Sequence, residues 1–436
     1  MCDSVRRLHL CPNNDAVSNM PDVTIDPGLT LRPFRAVRYD TARVNSLAAV
    51  TSPPYDLIDE ESLARFMAEE PHNVVRLILP QADYRDAAKT LRSWLASGIL
   101  TVDGEPALYV YEELSGAVVQ RGLIGAVAVH EDGSGVILPH EHVYPGPVRD
   151  RLALMTATEA NLEPIFLLYE GGAGSEAARI VDEVASSLPP VLEASTGDDV
   201  RHRLWAIRDP AEQAKIAEDL RGRQALIADG HHRYATYQAL RRRHDGPGPW
   251  DYGLALLVDS VEYPPRLGAI HRVLPGLPLP EAVRRAKAAF RAEPVGPDLA
   301  AGLERLAAHE DTAFLLGGDG EFVLLTDPDP AQVERSMPEG SSDRWRRLDT
   351  AVLHRLLISR VWGVEDDERN VRIVHHDAAR AVAKARRDGG TAVILNPLKV
   401  PDVLAVAANG EKVPRKSTSF GPKPRTGLVM RTFAAG

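Results

Sequence analysis

The stretch QALIADGHHRYATYQALRRR, residues 224–243, joins a short apolar run to a helical pattern through a single glycine. Residues 224–228 are predicted to form a buried strand, and residues 234–243 are predicted to form a helix. Gly230 between them allows a tight turn and lets the backbone pass close to a ligand. A strand, a glycine turn and a helix in this order favour an α/β fold.

The rest of the chain alternates between apolar runs typical of strands and apolar spacings typical of helices. Many of the intervening turns are compatible with antiparallel pairing, so a mixed α/β (α+β) arrangement is favoured over a strict doubly wound sheet. Strands are predicted at 74–79, 107–112, 121–130, 164–169, 204–207, 252–259, 312–316, 322–326, 391–395 and 427–430. Helices are predicted at 62–69, 83–97, 152–159, 175–187, 210–221, 281–292, 298–309, 350–358 and 378–387.

Four segments are predicted from these patterns. Residues 1–28 are polar and are expected to be a disordered tail. Residues 29–267 are expected to form the main α/β domain, and 268–390 a second α/β subdomain. Residues 391–436 are expected to return as a C-terminal segment to the site of the first domain.

Composition excludes several classes of protein. The 436 residues carry a formal net charge of −10, which disfavours a nucleic-acid-binding surface. The only cysteines are Cys2 and Cys11, so neither a disulfide framework nor a cysteine-rich metal site is expected. No apolar run is long enough to span a membrane, and the N-terminus has no apolar signal core. A cytoplasmic location and a small-molecule substrate are therefore expected, with no membrane and no nucleic-acid partner.

Within residues 224–243, the segment Asp229 to Arg233 has the highest concentration of side chains suited to binding or catalysis. A helix that begins after a glycine turn presents free N–H groups, which form an anion site. His231 and His232 add proton carriers, and Arg233 adds a fork suited to phosphate. Asp229 is a candidate either to hold a magnesium ion or to orient a histidine. The alternative is that Asp229 only caps the helix.

A second polar cluster is His140-Glu141-His142. In an extended chain the two histidines share one face and Glu141 takes the other. Zinc binding by the histidines would need a third ligand, which Asp229 or His231 could supply. General-base action by Glu141 on a hydroxyl is the favoured interpretation.

Three further motifs have both a functional and a structural interpretation. Arg149-Asp150-Arg151 suits a phosphate clamp or a surface ion cluster. Lys416-Ser417-Thr418 resembles the end of a phosphate loop without its upstream glycines, or a basic tail. Pro53-Pro54-Tyr55-Asp56 is a stiff turn whose Asp56 is a candidate contact for a cation or a substrate amine. His375-His376-Asp377 is interpreted as structural or superficial.

The order of these segments resembles one family, the domain of unknown function 1015 family, which is described as serine-kinase-like and grouped with the ParB-like superfamily. The likeness covers nearly the whole chain from Leu31. It rests on these segments: Leu31 to Arg35; Pro53 to Asp56; His140-Glu141; Asp150 to Leu152; Ala157-Thr158 with Asn161; Pro164 to Phe166; Ala228 to Tyr234; His271-Arg272; Lys416 to Thr418; Pro422-Lys423; and Gly427 to Val429.

The resemblance implies a ParB-like nucleotide-binding core and phosphate binding by the segment Gly230 to Arg233. On this basis, Arg151, Lys416, Ser417 and Thr418 are predicted to contact the phosphates as well. Glu141, Asp229, His231 and His232 are the predicted catalytic residues. Asp56, His140 and Asn161 are the predicted substrate contacts.

The predicted function is phosphoryl transfer from ATP, ADP or pyrophosphate to the hydroxyl of a free small molecule, with L-serine as first choice. Mg²⁺ would bridge the donor phosphates. One alternative is a nucleotide-binding regulatory protein of ParB-like type without turnover. The other is a metal-dependent hydrolase. The sequence gives no indication of the oligomeric state.

Overall fold

The protein was analysed as a computed structural model that describes residues 28–116, 118–197, 199–367 and 369–435. Nearly all of the predicted N-terminal tail, with Cys2 and Cys11, lies outside these residues. No helix among the described residues is long and apolar enough to cross a membrane.

The structure alternates helices with strands throughout. The helices are α1 (Leu47–Val50), α2 (Glu60–Glu69), α3 (Val75–Ile78), α4 (Tyr84–Ala96), α5 (Pro145–Thr158), α6 (Glu176–Ser187), α7 (Pro210–Arg221), α8 (His231–Arg241), α9 (Leu279–Ala286), α10 (Leu299–Ala307), α11 (Pro330–Ser336), α12 (Asp343–Arg346), α13 (Asp349–Ala351), α14 (Ala378–Arg387) and α15 (Val400–Ala408). Short 3-10 turns occur at Tyr55–Leu57 and Pro249–Asp251, and a π-helix at Val352–Val361.

The strands are β1 (Leu31–Arg32), β2 (Val37–Tyr39), β3 (Leu100–Val102), β4 (Leu108–Ser115), β5 (Val118–Ala128), β6 (Ile137–Leu138), β7 (Ala160–Asn161), β8 (Ile165–Tyr169), β9 (Leu192–Ser195), β10 (Val200–Ile207), β11 (Ala225–Asp229), β12 (Tyr252–Asp259), β13 (Arg266–Leu267), β14 (Ile270–Leu274), β15 (Arg291–Gly296), β16 (Phe314–Gly317), β17 (Phe322–Thr326), β18 (Arg372–His375), β19 (Thr391–Ile394), β20 (Phe420–Gly421) and β21 (Arg431–Thr432).

The main sheet has nine strands in the order β6-β11-β8-β12-β5-β4-β10-β9, with β1 paired to β5 outside this path. Strands β6 and β11 pair in parallel, as do β8 and β12, while the other pairs are antiparallel. All eight residues of β12 are buried, because this strand lies inside the sheet and both of its faces are covered. The predicted mixed α/β fold is therefore confirmed.

A second sheet has six strands in the order β15-β17-β16-β19-β14-β18. Its faces are covered by separate apolar clusters, one of which includes the π-helix residues Leu353, Leu356 and Leu357. Strand β19 lies between β16 and β14, so residues 391–394 are part of this sheet rather than of the segment that follows. The domain boundaries given above otherwise stay predictions.

The C-terminal segment runs back along the main sheet. Strand β20 pairs with β13, and β21 pairs with β7. Between them, Thr426 bridges to Ser52 and Met430 to Val37. Residues beyond β19 are thus held against the part of the chain that carries the main sheet.

Two sequence predictions of strands are wrong. Residues 74–79 form the single helical turn α3, because the Asn73 side chain accepts from the Val75 amide and donates to Ala49 and Thr51. A short apolar run that is buried on all sides does not distinguish strand from helix. Residues 427–430 are buried as expected, but Gly427 has a φ of +95° and turns the chain, and Met430 makes an isolated bridge to Val37.

The predicted helix at 350–358 is present, but most of it winds as a π-helix. The spacing of its apolar residues indicates a helix and does not specify how widely it winds. The predicted helix at 281–292 ends earlier than expected, because β15 begins at Arg291.

Candidate functional site

The glycine turn between β11 and α8 lines a large cavity. Strand β11 ends at Asp229, Gly230 takes the left-handed conformation with a φ of +95°, and α8 begins at His231. A Cβ atom at Gly230 would lie 2.8 Å from Ile165 Cγ2. Both the positive φ and this close approach require glycine. The turn places the N-terminus of α8, with its unpaired N–H groups, at the cavity.

The cavity has a volume of about 1150 Å³ and draws its walls from distant parts of the chain. Its polar and charged lining side chains are Tyr55, Asp56, Glu113, Ser115, Glu141, Thr196, His202, Asp229, His231, His232, Arg233, Arg266, His375, His376, Lys416, Thr418, Ser419, Lys423 and Arg425. Five sequence motifs that are far apart in the chain therefore contribute to one cavity.

Lys423 joins two of these carboxylates. Its Nζ lies 2.5 Å from Asp229 Oδ1 and 2.8 Å from Asp56 Oδ2. Burial alone would lower the pKa of Lys423, but the two carboxylates outweigh it and raise that pKa. Burial alone would raise the pKa of Asp56, but Lys423 and then Arg233 outweigh it and lower that pKa. Lys423 is therefore an ammonium held between two acidic groups.

Arg233 forms an ion pair with Asp229 from the buried side of the site. Its guanidinium is buried and donates to Asp229 Oδ2 and to the Pro164 carbonyl, both at 2.5 Å. Its charged end also lies over the Tyr55 ring, 5.9 Å from the centroid. Because the guanidinium already makes these bonds, it fixes the direction of the Asp229 carboxylate. The predicted contact of Arg233 with phosphate stays a prediction.

Glu141 is held by the C-terminal segment. Thr418 Oγ1 donates to Glu141 Oε1 at 2.9 Å and lies 2.8 Å from His140 Nε2. Since the Thr418 hydroxyl donates its only proton to Glu141, His140 Nε2 carries a proton and donates to it. Burial lowers the pKa of His140 to about 3, so this imidazole is neutral at physiological pH.

His231 and His232, at the start of α8, each accept a hydrogen bond from a backbone amide. His231 Nε2 accepts from the His140 amide at 3.3 Å, and His232 Nε2 accepts from the Tyr144 amide at 3.0 Å. Burial lowers the pKa of His231 to about 3 and also lowers the pKa of His232. Both rings are therefore neutral near pH 7, and the positive charge at this end of the cavity comes from lysine and arginine.

Some predicted site residues lie next to the cavity rather than on its wall. Arg151 pairs with Asp150 and stacks on Tyr55 at 4.4 Å, and it lines a small second cavity with Asn161. Ser417 is buried and donates to the Pro414 carbonyl. His140 is buried behind Thr418. Lys416 and Thr418 do line the cavity, as does Asp56.

Several lining residues had no signal in the sequence. Glu113 and His202 face each other across β4 and β10, and both are buried. Arg425 had no functional interpretation, and His375 and His376 were interpreted as structural or superficial. Alternation along a strand indicates which side chains share a face. It does not indicate that one end of that face borders a cavity.

A buried polar cluster anchors the loop that carries Lys416. Arg272 is fully buried, and its NH2 donates to the Lys416 carbonyl at 2.8 Å and lies 3.0 Å from His354 Nε2. His354 Nδ1 in turn lies 2.6 Å from Asp366 Oδ2, and Arg415 donates to Asp366 Oδ1. Because arginine only donates, His354 accepts at Nε2 and carries its proton on Nδ1. This Arg272 cluster connects the second sheet to the cavity.

The arrangement of the cavity side chains also bears on metal binding. No group of three or more His, Cys, Asp or Glu side chains suited to a metal occurs among the described residues. The hydrolase alternative thus finds no zinc ligand set in that part of the chain. Mg²⁺ commonly uses one or two carboxylates together with substrate phosphates. Asp56 and Asp229, which converge on one ammonium, fit that requirement.

The fold and site define a mixed α/β protein with a polar cavity built around a glycine turn at a helix N-terminus. The chain belongs to the family described as Protein of unknown function (DUF1015), whose sequence profile matches residues 31–351. The family predicted from the sequence motifs is therefore confirmed. No protein of curated function matches the chain.

Solved structures give distant matches. A free serine kinase in complex with AMP is 14% identical, with 67% of this chain and 88% of that chain covered and a TM-score of 0.33. SbnI with C-terminal truncation, from Staphylococcus aureus, is 12% identical, with 70% and 85% covered and a TM-score of 0.34. A conserved hypothetical protein from Pyrococcus furiosus is 15% identical, with 67% and 92% covered and a TM-score of 0.33. TM-scores of this size define no shared site.

Proposed function

We propose that this cavity transfers a phosphoryl group from a nucleotide or pyrophosphate donor to the hydroxyl of a free small molecule. L-serine, giving O-phosphoserine, is the acceptor that the family resemblance implies. The observation that carries the proposal is the Lys423 ammonium between Asp56 and Asp229 at the N-terminus of α8. A lysine ammonium, two carboxylates and the N–H groups of a helix N-terminus suit the positioning and charge stabilisation that phosphoryl transfer needs.

The donor phosphates would lie against the N-terminus of α8, where backbone N–H groups and the helix dipole favour an anion. Lys423 and Lys416 supply the flexible positive charges in the cavity. On donor binding, Lys423 would exchange one carboxylate for a phosphate oxygen. Arg233 would keep Asp229 oriented throughout, because its bonds are made from inside the protein.

Mg²⁺, when bound, would be held by Asp56, Asp229 and the donor phosphates, and it would offset the charge that develops on the transferred group. Movement of Lys423 from one carboxylate to a phosphate oxygen would free an oxygen of that carboxylate for this purpose.

Glu141 is the proposed general base. The acceptor hydroxyl oxygen would attack the terminal phosphorus and form a new P–O bond, while the bond to the bridging oxygen breaks and the shortened donor leaves. The hydroxyl proton would pass to Glu141, whose Oε1 is fixed by Thr418. His231 lies 3.8 Å from the other oxygen of Glu141, too far for a direct hydrogen bond.

The proposal is tested by offering purified protein Mg²⁺ with ATP, ADP or pyrophosphate, each against a panel of amino acids and polyols. Products are identified by mass spectrometry. Transfer to a hydroxyl acceptor with loss of one donor phosphoryl group is the expected result. Donor binding without any product would instead support a regulatory nucleotide-binding role, and hydrolysis alone would support a phosphatase.

A further inference from the structure

The part of the cavity lined by β4 and β10 carries buried groups that the proposed transfer does not use. Glu113 on β4 and His202 on β10 have 7% and 3% of their surface exposed, and both line the cavity. The Tyr111 hydroxyl lies between them, 3.1 Å from Glu113 Oε2 and 2.9 Å from His202 Nδ1. A buried carboxylate needs partners, and Tyr111 and His202 hold Glu113 at a fixed position on the cavity wall.

Arg425 supplies the opposite charge in this part of the cavity. Its Nε donates to Thr51 Oγ1 at 2.6 Å, and its NH2 donates to the carbonyls of Ala48 and Thr51. Its backbone N–H donates to the Tyr111 hydroxyl at 3.3 Å. The guanidinium is therefore fixed in place before any ligand arrives, and an arginine with a fixed guanidinium suits a carboxylate.

The short distance along the chain between Lys423 and Arg425 connects this part of the cavity to the transfer site. Lys423 and Arg425 are separated only by Pro424, and both side chains line the cavity. Two positions apart in an extended chain correspond to about 6–7 Å. A small molecule whose carboxylate meets Arg425 would therefore have its hydroxyl on the side of Lys423 and the donor.

We propose that Glu113 and Arg425 form the acceptor subsite and that it recognises a free α-amino acid as a zwitterion. Arg425 binds the α-carboxylate, and Glu113 binds the α-ammonium group. His202 and Tyr111 hold Glu113 in position. This inference rests on the proposed function, and it narrows the acceptor from any hydroxyl compound to a hydroxy amino acid. A polyol offers neither charge, and a side chain within a protein offers neither free group.

The test measures binding by calorimetry, so that it does not depend on turnover. L-serine is titrated into the wild-type protein and compared with glycerate, which lacks the ammonium, and with L-serine methyl ester, which lacks the carboxylate. Both analogues are expected to bind at least about tenfold more weakly, the scale of one lost charged hydrogen bond. Equal affinity for all three ligands would overturn the subsite.

Variants then assign each charge. Glu113→Gln should weaken L-serine at least about tenfold and leave glycerate nearly unchanged, while Arg425→Lys should weaken both. Glu131→Gln and Arg242→Lys are the matched controls, because this ion pair lies on the surface outside the cavity. The affinity for the donor should stay the same in all four proteins. If Glu113→Gln does not fold, the three ligands on the wild type decide alone.

The two proposals can fail separately. L-serine binding that depends on Glu113, without any transfer, would keep the subsite and remove the phosphotransferase. Transfer with a KM for L-serine that is unchanged in Glu113→Gln would keep the phosphotransferase and remove the subsite. No measurable binding of L-serine to the wild type, with or without donor, would also overturn the subsite.

Discussion

At the residue scale, the proposed site depends on Lys423 and Gly230. Lys423 neutralises two carboxylates that would otherwise repel each other inside a cavity, and Gly230 permits the turn that brings one of them there. Part of this was predictable. A glycine between an apolar run and a helical pattern indicated the turn, whereas the anion site indicated by the Asp, His and Arg beside it stays a prediction. The pairing of Lys423 with Asp56 was not predictable, because no local pattern links two residues this far apart.

Replacing Lys423 with Met should weaken donor binding by about 10- to 100-fold, because one charged hydrogen bond to phosphate is lost. Calorimetric titration with ATP or pyrophosphate in the presence of Mg²⁺ measures this. Lys399→Met, at an exposed position, is the control and should bind like the wild type. An unchanged affinity in folded Lys423→Met would remove Lys423 from the donor site.

The same variant should change the response of stability to acid. The pKa of Asp56 is lower in the folded protein than in the unfolded chain, where it is about 4. Its ionised form therefore stabilises the fold above that unfolded value, and this stabilisation is lost as pH falls through the lower folded pKa. Without Lys423 the main cause of the shift is gone. Urea unfolding between pH 7 and pH 3 should show a smaller acid-induced loss in Lys423→Met, and parallel curves would contradict the pairing.

Gly230→Ala should destabilise the fold by about 1–3 kcal/mol, because alanine is strained at positive φ and its Cβ would press on Ile165. Gly146→Ala is the matched control. Gly146 lies in α5, and a Cβ there would meet no atom within 4 Å. That change should be neutral or stabilising by about 0.5–1 kcal/mol. Equal effects of the two substitutions in chemical unfolding would refute the requirement for glycine.

At the scale of elements, apolar periodicity predicted most strands and helices, and the predictions at 210–221, 252–259, 322–326 and 378–387 match the observed bounds. It failed at 74–79, where the hydrogen bonds of Asn73 close a helical turn, and at 427–430, where Gly427 turns the chain. The first failure comes from contacts with residues distant in sequence and the second from a single backbone angle, and neither produces a period.

The Arg272 cluster makes a prediction about one element, the loop from Pro414 to Thr418. His354→Ala removes the acceptor for Arg272 and the partner of Asp366, so the loop should exchange its amide hydrogens faster. The KM for the donor should rise several-fold while kcat changes less, since Lys416 is displaced from the cavity rather than from the reacting atoms. His309→Ala, at an exposed position, is the control. Unchanged exchange in the loop would show that the cluster serves the second sheet alone.

At the scale of the molecule, the C-terminal segment joins the two sheets to one cavity. It leaves the second sheet after β19, passes the Arg272 cluster and delivers Thr418, Lys423 and Arg425 along the main sheet. The return of this segment was predicted from its basic and hydroxyl residues, whereas the location of β19 inside the second sheet was not. Sequence shows that a strand exists, but its neighbours are decided by long-range pairing.

Phosphorus NMR can follow directly whether the cavity transfers a phosphoryl group to a small hydroxyl acceptor. Wild-type protein is followed over time with Mg²⁺, L-serine and each of ATP, ADP and pyrophosphate, beside Glu141→Gln and the surface control Glu131→Gln. We expect a phosphomonoester signal that grows as the signal of one donor decreases by the same amount. The rate of this transfer should be at least about 100-fold lower in Glu141→Gln and unchanged in Glu131→Gln. Donor signals that stay constant, or that turn only into inorganic phosphate, would contradict the proposed transfer.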